Sequence, residues 1–385
     1  MKVFKLIFKN MFRHKLRTAL TIMGISIAVM AFALLRTVIG AWYVGIEATA
    51  PDRLITRNSV SFIFPLPVAY RARIASIPGV SNVSFANWFQ GVYIDERNFF
   101  PRMAVDVETF FDLYPELLLP AEQKEDFKKQ RNACIVGAKT AKKFNLKIGD
   151  AMTVDGDIYP GRYTFIVRGV YTGRDRATDE TQMFFHWAYL DEQLKRDMPV
   201  RAGYVGWYVV RIADPAQTAA VSAGIDEIFR NSPSETKTET EKAFTQGFIS
   251  MSSTIILAIQ FISYIIVGII LLVLANTMVM TARERIMEYA VLKTLGFRTL
   301  HIAGLITGES LLIAVIGGAI GLAITFPITA GIGEQLSNIF PVFLVETSTM
   351  ATAMSFAILV GLIASIVPLY RAMTTSIVDG LRHAG

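Results

Sequence analysis

The amino-acid sequence contains few residue combinations that could carry out catalysis. It lacks the G-x-x-x-x-G-K-[ST] phosphate loop, the H-E-x-x-H zinc motif and the G-x-S-x-G nucleophile elbow. The four histidines, His14, His186, His301 and His383, are widely separated in the sequence. The single cysteine, Cys134, excludes an intrachain disulfide and a cysteine-based zinc site. We therefore expect a non-catalytic chain that has no metal site.

The residues best suited to transmit work lie in a charged turn between two apolar segments. Residues 276–310 read NTMVMTARERIMEYAVLKTLGFRTLHIAGLITGES. Charged side chains come first, followed by three apolar ones spaced three residues apart and then by a glycine: Arg283, Glu284, Arg285 and Glu288; Tyr289, Leu292 and Leu295; Gly296. A short helix with one apolar stripe and a charged rim is suited to dock in a groove of another protein. The alternative is a helix that only lies on lipid, and the pattern alone does not choose between them.

The segments around this turn are apolar enough to span a membrane. Of 385 residues, 52% are hydrophobic and 18% are charged, whereas soluble domains are about 25% charged. Four segments are long enough to cross about 30 Å of hydrocarbon as helices: Thr18 to Leu35, and approximately 253–280, 300–324 and 350–369. Glu309 is the main acidic residue inside them, so the charge relay of an ion-driven transporter is not expected.

The positions of Lys and Arg predict the orientation. The residues before the first span are basic with no acid among them: Lys2, Lys5, Lys9, Arg13, Lys15 and Arg17. The turn at 283–298 is also basic, whereas the turn at 331–348 carries Glu334 and Glu346 and no Lys or Arg. The positive-inside rule then places both termini in the cytoplasm of a bacterial inner membrane protein. A cleaved signal peptide, with a site at Ala31 and Ala33, is the alternative.

The N-terminal cations also predict an amphipathic helix at the membrane surface. Cationic and apolar residues recur on separate faces: Lys2, Lys5, Lys9 and Arg13 against Phe4, Phe8, Met11 and Phe12. Such a helix lies in the interface, with its cations on anionic headgroups. The membrane therefore accounts for much of the net charge of +6, and no nucleic-acid partner is expected.

The segment between the first two spans has the composition of a globular domain. A predicted strand over 80–94 and helices over 121–130 and 215–230 do not alternate regularly, which favours an α+β domain. The charged loop 173–180 is interpreted as a solvated hairpin tip, or alternatively as a partner contact. A group of aromatic residues is assigned to the core, with the Phe99-Phe100-Pro101 stretch the part most open to exposure: Trp88, Phe89, Tyr93, Phe99 and Phe100.

The predicted fold class is a membrane protein with four transmembrane α-helices and a large α+β extracytoplasmic domain between spans 1 and 2. In chain order we predict a cytoplasmic amphipathic helix (1–16), span 1 with a stalk (17–46), the extracytoplasmic domain (47–238) with an inserted subdomain (about 105–200), a stalk with span 2 (239–282), a cytoplasmic coupling helix (283–298), span 3 (299–330), a short outer loop (331–348), span 4 (349–370) and a cytoplasmic C-terminal segment (371–385). Close helix packing is expected at Gly317, Gly318 and Gly321, within the chain rather than between two copies.

Several motifs resemble those of FtsX/MacB-like ABC transporter permeases of the type VII ABC superfamily. The charged turn carries the family's Asn-Thr-Met, its Arg-x-x-Glu and its basic residue with Leu-Gly: Asn276 to Met278; Arg285 and Glu288; Lys293 with Leu295 and Gly296. Residues 10–29 are similar to the start of the family's first span, and residues 135–154 to its inserted subdomain. At the C-terminal end Pro368, Ala372 and Leu381-Arg382 match, whereas Ser376 and Ile377 stand where members often carry a proline.

The resemblance implies a permease subunit in a homodimer or heterodimer, paired with a separate cytoplasmic ABC ATPase that binds ATP and Mg. A periplasmic adaptor protein is a further candidate partner, and this chain is expected to bind no cofactor. The family is thought to work by mechanotransmission, in which the ATPase moves the periplasmic domain through stalk helices. The implied ATPase-coupling residues are Arg283, Glu284, Arg285, Glu288, Tyr289, Leu292, Lys293, Leu295 and Gly296.

Two functions of different classes compete. The favoured one is efflux or extraction of a lipid, lipoprotein, peptide or drug, because an extracytoplasmic domain of about 200 residues is typical of the transport-type relatives. The rival is a regulator that transmits ATPase motion to activate a periplasmic cell-wall hydrolase. A membrane-anchored enzyme is the least supported reading, and the sequence leaves the substrate and the direction of transport open.

Overall fold

A computed structural model of the chain describes residues 13–47, 49–96, 98–175, 177–250, 253–336 and 342–374. It divides into two compact units, each considered by itself. The helical unit comprises Met1–Gly40, Ser253–Glu334 and Phe343–Gly385, and the sheet domain comprises Ala41–Ser252 and Gln335–Val342. The predictions for residues 1–12 and 375–385 lie outside the described ranges, and with them Lys2, Phe4, Lys5, Phe8, Lys9, Met11, Phe12, Ser376, Ile377, Leu381, Arg382 and His383.

The α-helices of the described residues are α1 (Lys15–Glu47), α2 (Tyr70–Ala75), α3 (Phe110–Leu113), α4 (Ala121–Lys129), α5 (Ala138–Phe144), α6 (Trp187–Asp197), α7 (Thr218–Ile228), α8 (Glu241–Ser250), α9 (Ser253–Glu284), α10 (Ile286–Thr294), α11 (Thr299–Leu336) and α12 (Thr347–Thr374). The strands are β1 (Arg53–Asn58), β2 (Leu66–Pro67), β3 (Val80–Trp88), β4 (Gly91–Val92), β5 (Arg102–Val105), β6 (Leu117–Leu118), β7 (Ala133–Gly137), β8 (Ala151–Gly156), β9 (Gly161–Gly173), β10 (Met183–His186), β11 (Tyr204–Val205), β12 (Trp207–Ile212) and β13 (Thr236–Thr240). Short 3-10 turns lie at Pro199–Arg201 and Pro215–Gln217.

Within the described residues, four helices are long and apolar enough to cross a membrane: α1, α9, α11 and α12. Their facing apolar side chains form one core, to which α1 contributes Ile25 and Phe32, α9 contributes Leu274, and α12 contributes Ala357. Of the four candidate spans, the one in α9 buries the smallest share of its apolar window, 17%. Its remaining apolar surface is available to lipid or to other protein.

Gly317, Gly318 and Gly321 of α11 lie close to neighbouring helices of the same chain. A Cβ atom added at Gly317 would lie 2.7 Å from Cγ2 of Ile25, and one at Gly321 would lie 2.5 Å from the carbonyl oxygen of Ser26. A Cβ atom at Gly318 would lie 3.0 Å from Cβ of Ala357 on α12. These contacts let α1 and α12 approach α11 closely, as small residues do in membrane helix packing.

We expect Gly321→Ala to destabilise the helical unit by about 1–3 kcal/mol, because the added methyl group overpacks the α1–α11 contact. The measurement is thermal unfolding of the full-length protein in detergent. Gly24→Ala on α1 is the matched control, since a Cβ atom there meets nothing within 4 Å and alanine favours a helix over glycine. Equal midpoints for the two variants would contradict close packing at Gly321.

The sheet domain is built on an eleven-stranded mixed sheet. Its order is β13-β1-β12-β3-β5-β10-β7-β9-β8-β4, with β6 paired to β9, and within the described residues β2 and β11 form a separate pair. The β10–β5 and β7–β9 pairs are parallel, whereas the other pairs are antiparallel. Helix α7 packs on the sheet through Val221 and Ile225, which share a core with Leu54 and Val210. This mixture confirms the predicted α+β class.

Two sequence-based boundaries in this domain are wrong. The strand predicted over 80–94 is divided, because β3 ends at Trp88 and β4 pairs instead with β8, with Gly91 opposite Gly156. The helical segment predicted from about residue 239 begins at Glu241, because residues up to Thr240 form an edge strand paired with β1. In both places pairing with a strand distant in the sequence overrides the local pattern.

Three of the five aromatic residues assigned to the core are buried. Phe89, Tyr93 and Phe100 are buried in the core around Cys134 of β7, whereas Phe99 is 42% exposed and Trp88 is half-buried.

In the loop 173–180, acidic side chains accept hydrogen bonds from the loop's own backbone. The Asp175 carboxylate accepts from the backbone N–H groups of residues 177 and 178, and the Glu180 carboxylate accepts from that of residue 173. The loop therefore uses part of its charge to close on itself.

Candidate coupling site

Helix α10 is a short helix held between α9 and α11 by a turn at each end. Its C-terminal turn is a Schellman motif, in which the N–H of Phe297 donates to the carbonyl of Leu292 and the N–H of Gly296 donates to that of Lys293. Gly296 has φ +87°, a conformation that favours glycine. The family-like Leu-Gly pair thus ends α10 and turns the chain into α11.

The inward face of α10 packs against the core of the helical unit. Tyr289 and Ala290 are buried, and Leu292 packs against the same core. A shallow cleft between α10 and the end of α12 is lined by Ile286, Tyr289, Ala290, Lys293 and Ala372. Burial raises the pKa of Tyr289 to about 12, so its phenol is neutral at ordinary pH.

The apolar stripe predicted for docking is therefore divided between two faces. Tyr289 and Leu292 face the core, while Leu295 is 70% exposed. The exposed apolar stripe instead consists of Met287, Val291 and Leu295, each four residues from the next. We call these three residues the outer face of α10. The spacing in the sequence does not distinguish the two faces, because this nine-residue helix carries apolar side chains on both sides.

One ion pair is buried beside α10. Nη1 of Arg285 donates to Oε2 of Glu309 at 2.8 Å, with 5% and 8% of the two side chains exposed. Arg285 is the N-cap residue immediately before α10 and Glu309 lies in α11, so the pair joins the turn to the following helix. The adjacent Ser310 hydroxyl donates to the carbonyl of Gly361 in α12 at 2.7 Å. A charge pair this far from water holds its geometry, because separating it would leave two buried charges.

Partly exposed ion pairs join the same segment to α1. Arg17 donates through both Nη atoms to the Glu284 carboxylate at 2.7 and 2.8 Å, and Arg13 pairs with Glu288. The His14 ring lies 3.8 Å from Glu284, where it adds a charge only when protonated. Arg13 and Arg17 were predicted at lipid headgroups, and the structure gives them protein partners, the carboxylates of Glu288 and Glu284. Lys15 is exposed.

Lys293 joins α10 to the fourth long helix. Its ammonium group donates to the carbonyl of Ala372 at 2.9 Å and contacts that of Met373 at 3.4 Å. These carbonyls belong to the last turn of α12, where the helix dipole favours a cation. Helix α10 and its flanking residues therefore contact α1, α11 and α12 through charged side chains. Arg283, by contrast, is exposed at the end of α9.

The sequence singled out Arg285 and Glu309 but did not pair them. An acid within an apolar span is expected to have a cationic partner, and the turn at 283–298 holds the cations nearest to it in the sequence. That signal was sufficient to suggest a partner for Glu309 from this turn, although not to choose Arg285. Within the described residues there is no group of three or more His, Cys, Asp and Glu side chains that could hold a metal ion.

Family models match most of the chain. The MacB-like periplasmic core domain matches residues 18–228, and the FtsX-like permease C-terminal domain matches residues 260–377. The second match contains all of α10 and the buried ion pair.

Two individual relatives of the chain are also named as permeases. The chain is 22% identical to an uncharacterized ABC transporter permease, YvrN, of Bacillus subtilis, over 98% of both chains. It is 32% identical to the macrolide export ATP-binding/permease protein MacB of Nitrobacter winogradskyi over 34% of this chain, and that match spans 19% of the relative.

The chain is also similar to two solved structures, the periplasmic region of MacB from Actinobacillus actinomycetemcomitans and the extracellular domain of the transporter YknZ from Gram-positive bacteria. Both are 12% identical to this chain. The MacB match covers 53% of this chain and 95% of the solved chain with a TM-score of 0.38. The YknZ match covers 49% of this chain and 99% of the solved chain with a TM-score of 0.36. With four apolar helices, a mixed α/β extracytoplasmic domain between the first two and matches to both family models, the chain belongs to the FtsX/MacB-like ABC transporter permeases.

Proposed function

We propose that this chain couples ATP hydrolysis by a separate cytoplasmic ATPase subunit to movement of its extracytoplasmic domain. The observation that supports this most directly is the set of charged contacts that tie α10 and its flanking residues to the start of α1, to α11 and to α12. A displacement of α10 would be shared by these helices, because each contact would otherwise have to break. The family to which the chain belongs implies the ATPase partner.

In this proposal the end of the helical unit that carries α10 faces the cytoplasm of a bacterial inner membrane. The cations Arg13, Lys15 and Arg17 lie at the start of α1, and Lys293 contacts the last turn of α12. Positive charge at the starts and ends of spans is the usual sign of the cytoplasmic side. Both termini would then be cytoplasmic, and the sheet domain would be extracytoplasmic.

The ATPase would dock on the outer face of α10. Met287, Val291 and Leu295 are 49%, 43% and 70% exposed and form an apolar stripe suited to an apolar groove. Phe297 and Leu300, also exposed, extend the apolar surface beyond Gly296. We therefore expect the ATPase to contact this stripe rather than Tyr289 and Leu292, whose side chains pack against the core of the helical unit.

The cargo is proposed as a lipid, lipoprotein, peptide or drug that is exported or extracted, with the permease working as a homodimer or as a heterodimer with a paralogue. The absence of a charge relay from the sequence of the spans agrees with movement driven by an external ATPase rather than by an ion gradient. ATP and Mg would be bound by the partner subunit.

The test uses the full-length complex purified from its native membrane and placed in lipid nanodiscs. Its ATPase is identified by mass spectrometry and its hydrolysis of ATP is measured. Hydrogen exchange is then compared between the nucleotide-free complex and the complex trapped with ATP and vanadate. We expect exchange to change both in α10 and in the sheet domain, at least threefold in the segment around Glu241.

A change confined to α10, with none in residues 53–247, would overturn the proposed coupling. A complex with an ATPase variant that binds but does not trap nucleotide is the control. Recovery of a cell-wall hydrolase as a stoichiometric partner, with ATP-dependent activation of that hydrolase, would support the regulator in place of the transporter.

A further inference from the structure

The two chain segments that connect the sheet domain to the long helices meet at one buried arginine. Arg53 starts β1, six residues after α1 ends at Glu47, and Glu241 starts α8, which precedes α9 in the sequence. Nε of Arg53 donates to Oε2 of Glu241 at 2.8 Å. The same carboxylate accepts from the backbone N–H of Ala50 at 3.3 Å, so the incoming and outgoing segments are joined directly.

The remaining donors of Arg53 reach a third segment. Nη1 lies 2.7 Å from Oε1 of Glu116 and donates to the carbonyl of Leu113 at 2.8 Å, and the guanidinium lies 4.2 Å from the ring centre of Tyr114. Only 2% of the Arg53 side chain is exposed. One guanidinium therefore binds two carboxylates, a carbonyl and an aromatic face.

A second arginine supports the same segment. Arg211 of β12 donates to the carbonyls of Asp112 and Leu113 at 2.8 and 2.9 Å. Burial raises the pKa of Glu241, and the charge of Arg53 opposes that shift. The cluster depends on Arg53, since without it two partly buried carboxylates would lie close together without a cation.

The segment held by Arg53 leads to a distant part of the sheet. Glu116 is followed by β6, in which Leu117 and Leu118 pair with Gly173 and Thr172 of β9. In the sheet order β1 and β9 are separated by β12, β3, β5, β10 and β7. The Arg53 contacts therefore provide a direct link from β1 and α8 to β9 that does not pass through the five strands between them.

We propose that Arg53 is a positioning residue that passes displacement of α8 to β6 and β9, so that both halves of the sheet domain move with the chain segment leading to α9. The inference rests on the proposed function for the source of the displacement. The polar part of the link consists of the contacts of Arg53 with Glu241, Glu116 and Leu113, whatever the source of the displacement.

The experiment measures hydrogen exchange of the full-length complex in nanodiscs, with and without trapping by ATP and vanadate. The peptides of interest cover residues 112–118, 170–174 and 241–247. In the unmodified complex all three should change on trapping. In Arg53→Gln the change at 241–247 should remain, while the changes at 112–118 and 170–174 should fall at least threefold. Arg53→Lys should give an intermediate result, because an ammonium lacks the planar fork that binds several partners.

Arg57→Gln is the matched control. Arg57 lies in the same strand and pairs with Glu239 at 2.9 Å, but none of its ion-pair or hydrogen-bond partners belongs to residues 112–116. It should behave as the unmodified complex does. An Arg53→Gln complex that still transmits the full change to 112–118 and 170–174 would overturn the proposal.

Unfolding of the sheet domain by Arg53→Gln would make hydrogen exchange in α7 faster. A second variant is used in that case. Glu116→Gln removes one carboxylate and leaves the Arg53–Glu241 pair in place. Without nucleotide, Glu116→Gln should raise hydrogen exchange at least tenfold at residues 112–118 and also at residues 241–247. An increase confined to residues 112–118 would overturn the link. This arm is independent of the ATPase, so a failure of the proposed function is distinguishable from a failure of the link.

Discussion

Replacing Arg285 with Met is expected to destabilise the helical unit by about 3–5 kcal/mol, because it leaves the Glu309 carboxylate buried without its partner. The side chain of Glu309 is only 8% exposed, so water cannot easily replace the guanidinium. The measurement is thermal or denaturant-induced unfolding of the full-length protein in detergent, followed by a probe within the helical unit.

Arg283→Met provides a control with the same change of charge two residues earlier. Arg283 is exposed at the end of α9, and its replacement should alter stability by less than about 0.5 kcal/mol. The double variant Arg285→Met with Glu309→Leu should recover most of the loss, since two apolar side chains can replace a buried ion pair. Similar midpoints for Arg285→Met and Arg283→Met would show that the buried pair contributes little.

The double variant Val291→Asp with Leu295→Asp is expected to weaken binding of the ATPase by about 2–4 kcal/mol, or on the order of 30- to 1000-fold. Both residues lie on the outer face of α10, where a carboxylate would be desolvated by an apolar groove. Folding of the chain should be unaffected, because Val291 is already 43% exposed and Leu295 is 70% exposed. Affinity is measured with purified subunits in nanodiscs.

Two controls separate docking from folding. Ile148→Asp makes the same chemical change at an exposed position of the sheet domain and should leave ATPase binding unchanged. Leu292→Asp places the charge on the inward face and should lower the unfolding midpoint of the chain. Unchanged ATPase affinity in the Val291→Asp, Leu295→Asp variant would rule out the outer face as the docking surface.

The sequence predicted the large-scale architecture because long apolar segments and clustered cations are local signals. Four long apolar helices, an α+β domain between the first two and a short charged helix between the second and third follow from hydropathy and spacing alone. The family resemblance rested on the same charged turn, with Asn276 to Met278, Arg285 and Gly296.

The contacts that organise the candidate site could not be predicted in this way. Which side of α10 faces the core depends on where α11 and α12 lie, and the helix is apolar on both sides. Arg285 and Glu309 are 24 residues apart, and Arg53 and Glu241 are 188 residues apart. Such pairs are set by tertiary packing, which the spacing of residues in a single sequence does not determine.

The buried position of Cys134 makes the unmodified chain suitable for site-specific labelling. It is the single cysteine in the sequence, it is fully enclosed in the sheet domain, and burial raises the pKa of its thiol. A thiol that stays protonated and out of reach reacts poorly with maleimides. Fluorophores or spin labels could therefore be placed at introduced cysteines, for example at Leu295 or Lys242, without first removing the native one.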